Sequence, residues 1–232
     1  SLVMRGAGCC INDIFDRDFD RKIKRTKNRP LASGSLNVFE SIIFTVFQLL
    51  LGLIVLLQFE TNVIILSFMI MPLVLTYPLF KRFTYFPQII LGLAFNWGAL
   101  VGYQSQTENF DFSILYLYFA GVFLTTAYDT VYGFQDIKGD KKIGLKSMAI
   151  LFEKKKKSLR LVYLLSSIFF SIFFFVTYGN TFLSLLSSVI VFSFLIKQFL
   201  NFENGIEINK IFKSNVKIGG LIAFLIILHN YL

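Results

Sequence analysis

The chain has 232 residues, of which 55% are hydrophobic and 29 are phenylalanine, and its mean hydropathy is +0.66. Soluble domains are typically about 45–50% apolar, so this composition argues against a soluble protein and for an integral membrane protein in a lipid bilayer. The net charge of +9 could suggest a nucleic-acid partner. The basic residues are instead interleaved with apolar spans and form no continuous basic surface, so we expect no nucleic-acid binding.

The first polar stretch covers residues 12–34 and holds four aspartates and seven Lys or Arg residues. If its first nine residues are helical, Asn12, Asp16 and Asp20 share one face, because each step of four residues rotates by only about 40°, and Asp13 lies beside them. Carboxylates on one face repel each other unless a cation lies between them. Oxygen ligands without His or Cys suit Mg²⁺ or Ca²⁺ better than Zn²⁺. The alternative is a solvated loop of mixed charge.

Seven long apolar stretches follow, each of about 19–23 residues, which is enough to cross roughly 30 Å of hydrocarbon as a helix. They are Leu36–Gln58, Asn62–Phe80, Phe86–Gln104, Ser113–Gln135, Ser158–Tyr178, Thr181–Leu200 and Ser214–Leu232. Pro72, Pro78 and Pro87 lie in or near these stretches and are expected to kink or begin helices. Gly98 and Gly102 form a GxxxG pair, for which close packing within the bundle is favoured over dimerisation.

A second acidic stretch covers residues 128–147. Asp129, Asp136 and Asp140 are spaced by seven and four residues, so on one continuous helix they lie within about 20° of a line. Basic residues follow both acidic stretches. Two carboxylate clusters that bind Mg²⁺ against a diphosphate are suited to ionising an allylic leaving group.

The loops alternate in charge along the chain. Lys and Arg residues occur at 17–29, 81–82, 138–160 and 197–217. None occurs in the alternate loops, Phe59–Thr61, Ser105–Phe112 and Gly179–Asn180. The positive-inside rule then predicts that the basic side faces the cytoplasm, and both acidic stretches lie on that side.

Both acidic stretches resemble the signature motifs of the UbiA superfamily of intramembrane prenyltransferases. The first resembles NDxxDxxxD followed by RTxxRPLxxG, at Asn12, Asp13, Asp16, Asp20, Arg25, Thr26, Arg29, Pro30, Leu31 and Gly34. The second resembles DxxxD, YDTxY and GxKS, at Asp136, Asp140, Tyr128–Tyr132 and Gly144–Ser147. The segment at 77–102, with its FNWG sequence, is similar to the 4-hydroxybenzoate polyprenyltransferase branch. That branch often carries adjacent acidic residues at the end of the second motif, where this chain has Gly139 before Asp140.

The resemblance implies an all-α, UbiA-like transmembrane bundle of nine helices that forms one domain. In the family, the first acidic motif closes the second membrane helix. Ser1–Ile11 is therefore expected to be the tail of that helix, in a chain with seven full spans, the end of an eighth, and the two N-terminal helices missing or partial. The implied location is a bacterial or mitochondrial inner membrane, with the active site facing the cytoplasm or matrix.

The implied activity is Mg²⁺-dependent transfer of a polyprenyl group from a polyprenyl diphosphate to the ring of an aromatic acid, 4-hydroxybenzoate, in ubiquinone biosynthesis. The alternatives are another UbiA-type enzyme, of the haem O, chlorophyll or menaquinone pathway, or a membrane transporter without catalytic activity. A transporter would be expected to carry acidic residues near the middle of the membrane.

The resemblance also implies roles for particular residues. The expected metal ligands are Asn12, Asp16, Asp20, Asp136 and Asp140. The expected diphosphate-binding residues are Lys24, Arg25, Arg29, Lys81 and Lys146. Asp129 shares the second acidic face and is expected to reach the metal through water. Tyr77 is expected to stabilise the allylic cation, and Asn96 of FNWG to line the acceptor or prenyl pocket. Lys81 and Arg82 are expected in a loop, where Arg82 would hold the carboxylate or phenolate of the acceptor.

Overall fold

The computed structural model of the chain describes residues 2–23, 25–107, 109–179 and 181–231. Within these residues the chain forms helices and no β-strand. The helices are α1 (Leu2–Asp20), α2 (Pro30–Ser33), α3 (Val38–Leu56), α4 (Thr61–Met69), α5 (Met71–Phe83), α6 (Pro87–Gln104), α7 (Ile114–Gly133), α8 (Ile137–Lys142), α9 (Met148–Phe152), α10 (Leu159–Tyr178), α11 (Phe182–Glu203) and α12 (Ile208–Tyr231). A 3-10 turn at Lys156–Ser158 leads into α10.

Six helical segments in the described part of the chain are long and apolar enough to cross a membrane. They are Val38–Leu56, Thr61–Phe83, Ile114–Gly133, Lys156–Tyr178, Phe182–Glu203 and Ile208–Tyr231. Their outward faces are apolar: Phe39, Phe47 and Ile54 of α3 expose 71%, 56% and 60% of their surface. A continuous apolar surface of this kind is stable against lipid and unstable against water. The predicted all-α transmembrane bundle is therefore confirmed.

Within the described residues, helices occupy all seven predicted apolar stretches, with differences in detail; the last helix, α12, begins at Ile208 and not at Ser214. α6 has 18 residues, but it contains Gln88, Asn96 and Gln104 and is not among the six segments that are apolar enough by composition alone. The second predicted stretch is interrupted at Ile70, where α4 ends and α5 begins. Pro72 lies in the first turn of α5, where its missing N–H breaks the hydrogen-bond ladder of a continuous helix.

α7 lies at the centre of the bundle, packed against α6, α10 and α12. Its small residues Ala120 and Ala127 are fully buried in the main hydrophobic core, together with side chains of α10, α11 and α12. Ser166 of α10 donates a hydrogen bond to the backbone carbonyl of Ala120 at 2.8 Å. Small residues and interhelical hydrogen bonds are the usual means of close helix packing in lipid. This packing fixes the position of Gly133, where α7 ends and the second acidic stretch continues.

α6 and α7 approach each other closely at Gly92. A Cβ atom at Gly92 would lie 2.8 Å from the backbone oxygen of Val122. No atom of the described chain lies within 4 Å of the corresponding position at Gly98 or Gly102, and both glycines are exposed. The prediction that the GxxxG pair packs within the bundle is therefore wrong. A GxxxG spacing cannot reveal which face of a helix is turned inward, and this pair lies on the outer face.

We expect Gly92→Ala to destabilise the bundle and Gly98→Ala to leave it unchanged or slightly more stable. The added methyl at position 92 meets backbone, which cannot move without separating α6 from α7, at a cost of about 1–3 kcal/mol. At position 98 the methyl meets no protein atom, and alanine favours a helix over glycine by about 1 kcal/mol. Thermal unfolding of the two variants in the same detergent measures the difference. Equal melting temperatures for the two variants would contradict the close contact at Gly92.

Candidate active site

A polar cavity of about 380 Å³ lies at the end of the bundle where α1, α5 and α7 end and α6 begins. Among the described residues, six aspartates and four basic side chains line it. The aspartates are Asp13, Asp16, Asp20, Asp129, Asp136 and Asp140, and the basic residues are Arg25, Arg29, Lys81 and Lys146. The two acidic stretches of the sequence therefore meet in one place.

The first acidic stretch forms the helical face that its spacing predicted. α1 continues to Asp20, and Asn12, Asp16 and Asp20 all line the cavity, with Asp13 beside them. Asp16 and Asp20 are buried, with 3% and 6% of their surface exposed. The hydroxyl of Tyr77, from α5, donates to Asn12 Oδ1 at 3.2 Å. This contact places the ring of Tyr77 at the cavity wall, next to the predicted metal ligands.

The second acidic stretch is not one continuous helix, so the predicted single line of three aspartates is wrong. α7 ends at Gly133, and Asp136 is the residue that precedes α8. Glycine disfavours a helix interior, and the carboxylate of Asp136 binds Arg25 and does not cap α8. The break turns the chain without removing the aspartates from the site, because Asp129, Asp136 and Asp140 all line the cavity.

Ion pairs connect the loop after α1 with both acidic stretches. The guanidinium of Arg25 donates two hydrogen bonds to the carboxylate of Asp136, at 3.0 and 2.6 Å, although the residues are 111 positions apart in the chain. Arg29 donates to Asp13 at 2.8 Å and to Asp20 at 2.9 Å. A two-pronged arginine contact of this kind fixes orientation as well as distance. These ion pairs hold the RTxxRPLxxG segment against both acidic stretches at the cavity.

Lysines from two further elements complete the basic side of the cavity. Lys81 of α5 forms an ion pair with the buried carboxylate of Asp16. The ammonium of Lys146 donates to the carbonyl of Phe83 at 3.1 Å. Lys24, the remaining predicted diphosphate-binding residue, lies outside the described residues.

Arg82 and Asn96 were predicted site residues, but neither lines the cavity. Lys81 and Arg82 lie in the last turn of α5 and not in a loop, so their side chains point about 100° apart around the helix axis. Arg82 donates to the carbonyl of Phe15 at 3.0 Å on the outer side of α1, so it does not support the acceptor site. Asn96 donates to Gly92 and to Thr125, each at 2.9 Å, and so joins α6 to α7.

The residues at the cavity fit a hard divalent cation. Asp16 Oδ1 is buried and has no hydrogen-bond partner, and carboxylate oxygens are the ligands that Mg²⁺ prefers. Burial and, to a smaller extent, the negative charge of Asp136 raise the pKa of Asp140 to about 6. A cation between Asp136 and Asp140 would reduce the repulsion between their negative charges. In the described part of the chain, no three acidic side chains yet converge on one point, since several are turned toward basic partners.

Gln88 lines the cavity and was not predicted from the sequence. It is buried in the first turn of α6, directly after Pro87, and accepts a hydrogen bond from the backbone of Met148. The one available signal was a polar side chain at the start of an apolar stretch, on the same side as the acidic motifs. That signal was too weak to separate Gln88 from an ordinary residue of the membrane interface.

Comparison with known proteins agrees with this architecture. The 4-hydroxybenzoate polyprenyltransferase of Rattus norvegicus mitochondria is 50% identical over 158 residues, which are 68% of this chain and 42% of that protein. The chain thus spans less than half the length of this relative. An apo UbiA homologue from Aeropyrum pernix superposes with a TM-score of 0.83 at 23% identity, covering 97% of this chain and 85% of that one.

A second solved structure is that of a UbiA homologue from Archaeoglobus fulgidus bound to GPP and Mg²⁺. It superposes with a TM-score of 0.70 at 18% identity, covering 97% of this chain and 82% of that one. The model of the UbiA prenyltransferase family matches residues 1–215. With this match over most of its length, the chain belongs to the UbiA prenyltransferase family.

Proposed function

We propose that this protein transfers a polyprenyl group from a polyprenyl diphosphate to the ring of an aromatic acid, 4-hydroxybenzoate, as a step of ubiquinone biosynthesis. The observation that carries the proposal is the meeting of both acidic motifs with four basic side chains in one cavity. The Arg25–Asp136 contact, which joins the first motif region to the second, is its most specific element. Oxygen ligands for a metal and cations for a diphosphate are thereby adjacent, as ionisation of an allylic diphosphate requires.

The relatives support the choice of substrates. The protein of Rattus norvegicus is named a 4-hydroxybenzoate polyprenyltransferase, and the Archaeoglobus fulgidus structure is described as bound to GPP and Mg²⁺. This naming, together with the FNWG and YDTxY segments, favours the hydroxybenzoate branch over enzymes of the haem O, chlorophyll or menaquinone pathways. A transporter is disfavoured because the six aspartates of the cavity lie at one end of the bundle and not near its middle.

The residues that would hold Mg²⁺ are Asn12, Asp16, Asp20, Asp136 and Asp140, with Asp129 in contact through water. When bound, the metal would draw negative charge from the diphosphate oxygens and so weaken the allylic carbon–oxygen bond. Among the described residues, Oδ1 of Asp16 is buried without a hydrogen-bond partner, so it is available as a ligand atom.

The basic side chains would stabilise the departing pyrophosphate. Arg25, Arg29 and Lys81 each have an aspartate partner, so a bound diphosphate would share these cations with the carboxylates. Lys146 would add a fourth positive charge. Such fixed charges are most effective against the charge that develops as the bond breaks. The nucleophile is the aromatic ring carbon, which bonds to the allylic carbon as pyrophosphate leaves, after which the ring loses a proton.

Tyr77 would protect the allylic carbon while it carries positive charge. Its hydroxyl is held by Asn12, which leaves the ring at the cavity wall, where an aromatic face attracts a cation. The apolar residues Phe19, Ile23 and Leu91 share that wall and limit the entry of water. Exclusion of water matters because water would compete with the aromatic ring for the cation.

The alternating charge of the loops supports an orientation with this cavity on the cytoplasmic side of a bacterial inner membrane or on the matrix side of a mitochondrial one. The basic clusters at 138–160 and 197–217 lie on the same side as the acidic motifs, and the loops on the other side carry no Lys or Arg.

We expect Asp16→Asn and Asp136→Asn each to lower turnover of 4-hydroxybenzoate and a polyprenyl diphosphate by at least about a hundredfold, because each removes an ionic ligand that acts on the leaving group. Asp18→Asn is the matched control. Asp18 belongs to the same acidic stretch, but its side chain is 69% exposed and does not line the cavity. Product formation is measured in membranes across a Mg²⁺ titration. Losses of only a fewfold with the Mg²⁺ dependence unchanged would refute a metal site shared by the two motifs.

The proposed orientation predicts which positions an impermeant thiol reagent reaches. In a background without Cys9 and Cys10, cysteines at Lys142 and Lys210 should react only from the cytoplasmic or matrix side. A cysteine at Thr107 should react only from the opposite side, because it lies in a loop at the other end of α6. Labelling of sealed vesicles of both orientations measures the sidedness. Reaction of positions 107 and 142 from the same side would disprove the arrangement.

A further inference from the structure

Gln88 lines the cavity, and one half of its side-chain amide is held by a hydrogen bond from the protein backbone. Only 7% of its surface is exposed, and its Oε1 accepts the backbone N–H of Met148 at 3.0 Å. A backbone N–H can only donate, so the atom facing Met148 must be the oxygen. The orientation of the amide therefore follows from chemistry, and Nε2 lies on the side away from Met148.

The two N–H groups of Nε2 have no acceptor among the described residues, although Gln88 is a wall residue of the cavity. Nε2 is not one of the fully buried atoms that lack a partner, so it keeps some accessible surface and can donate to a molecule that fills the cavity. Gly133 lies beside Nε2, since a Cβ atom there would be in van der Waals contact with it at 3.8 Å. The cationic donors of the same cavity differ from Gln88, because Arg25 and Lys81 are already paired with aspartates.

We propose that Gln88 binds substrate by donating a hydrogen bond from Nε2 to a substrate oxygen. The inference rests on the proposed function, because it takes the cavity to be the site where a diphosphate and an aromatic acid meet. The partner is an anionic oxygen, which belongs either to the diphosphate or to the carboxylate or phenolate of the acceptor. In either case a neutral donor held by the backbone fixes the position of the oxygen without adding charge.

A purely structural role would use only the oxygen of the amide. Gln88 Oε1 serves the first N–H of α9, one of the donors that a helix start leaves unpaired. That task needs an acceptor alone, so a carboxyl group could perform it as well as an amide. Binding of a substrate oxygen needs the donor, which distinguishes the two roles experimentally.

Gln88→Met tests whether the side-chain amide is needed for binding, with Thr126→Val as the control for packing, and Gln88→Glu then separates the donor from the acceptor. Methionine removes both halves of the amide at similar volume. Thr126 is buried, contacts the Gln88 carbonyl at 3.4 Å and does not line the cavity, so its replacement disturbs the same packing but keeps the amide. We expect Gln88→Met to raise the KM of one substrate about tenfold, the size expected for one lost hydrogen bond to a charged oxygen. Thr126→Val should leave both KM values unchanged.

The two substrates are titrated separately, so that the source of the oxygen is identified. A higher KM for the polyprenyl diphosphate assigns the contact to the diphosphate, and a higher KM for 4-hydroxybenzoate assigns it to the acceptor. KM values within twofold of the wild type for both substrates would overturn the proposal. So would equal increases in Gln88→Met and Thr126→Val, because these would reflect packing alone.

Gln88→Glu provides a second test that does not depend on Gln88→Met folding. Both forms of a carboxyl group can accept the Met148 N–H, but only the protonated form can donate to a substrate oxygen. The KM of the variant relative to the wild type should therefore be near one at low pH and rise as pH increases through the pKa of the new carboxyl group. A ratio near one at every pH would show that no donor is needed and would overturn the proposal.

Binding measured without turnover separates this proposal from the proposed function. Pyrophosphate with Mg²⁺, and separately 4-hydroxybenzoate, should raise the melting temperature of the wild-type protein in detergent, by an amount set by affinity. Gln88→Met should need about tenfold more of one of them for the same rise. Absence of product from the wild type would reject the proposed reaction, whereas identical titrations for the wild type and Gln88→Met would reject the role of Gln88.

Discussion

The structure depends on the high cost of placing an ionised side chain in hydrocarbon. Apart from the helix ends, the bundle presents an apolar surface, and the six aspartates of the cavity are collected at one end beside basic side chains. Arg25 and Asp136 illustrate the consequence. Each would be unstable alone in a partly buried site, and together they join segments that are 111 residues apart. The same requirement that removes charge from lipid therefore assembles the candidate active site.

The cavity retains an imbalance that suits its proposed task. Among the described residues that line it, six aspartates face four basic side chains, which leaves an excess of negative charge. A diphosphate could not enter such a site without cations to accompany it, which is consistent with a metal-dependent donor. Paired charges in a partly buried site contribute little net stability, because desolvation offsets their attraction. A basic side chain can therefore exchange its carboxylate partner for a substrate oxygen at a small cost in free energy.

The parts that could be predicted from the sequence are those that follow from regular helical geometry. Asn12, Asp16 and Asp20 share a face because α1 continues unbroken through them. The predictions were wrong where a break in a helix, or the direction of a side chain around its helix, determined which residues reach the cavity. Because α7 ends at Gly133, the second acidic stretch changes direction there. Lys81 lines the cavity, whereas Arg82, the next residue of α5, does not. Residue spacing shows which side chains share a face of a helix, but in a helix that is apolar all round it does not show which face is turned toward the bundle.

The position of Gln88 shows how the site depends on backbone contacts as well as on charges. The chain after the second motif is attached to α5 and α6 by two hydrogen bonds: Lys146 N–H donates to the carbonyl of Lys81 at 2.8 Å, and Met148 N–H donates to the side-chain Oε1 of Gln88. Asp140 is tied to the same segment, since its carbonyl accepts the N–H of Leu145 at 2.9 Å. A hydrogen bond between two backbone groups, such as that of Lys146 with Lys81, is less easily exchanged than a surface ion pair, because neither partner can rotate toward water. These bonds would hold the second motif in place relative to α5 if its carboxylates changed partners on substrate binding. Gln88, a neutral donor bonded to the same segment, would then keep its position while the charged side chains rearrange.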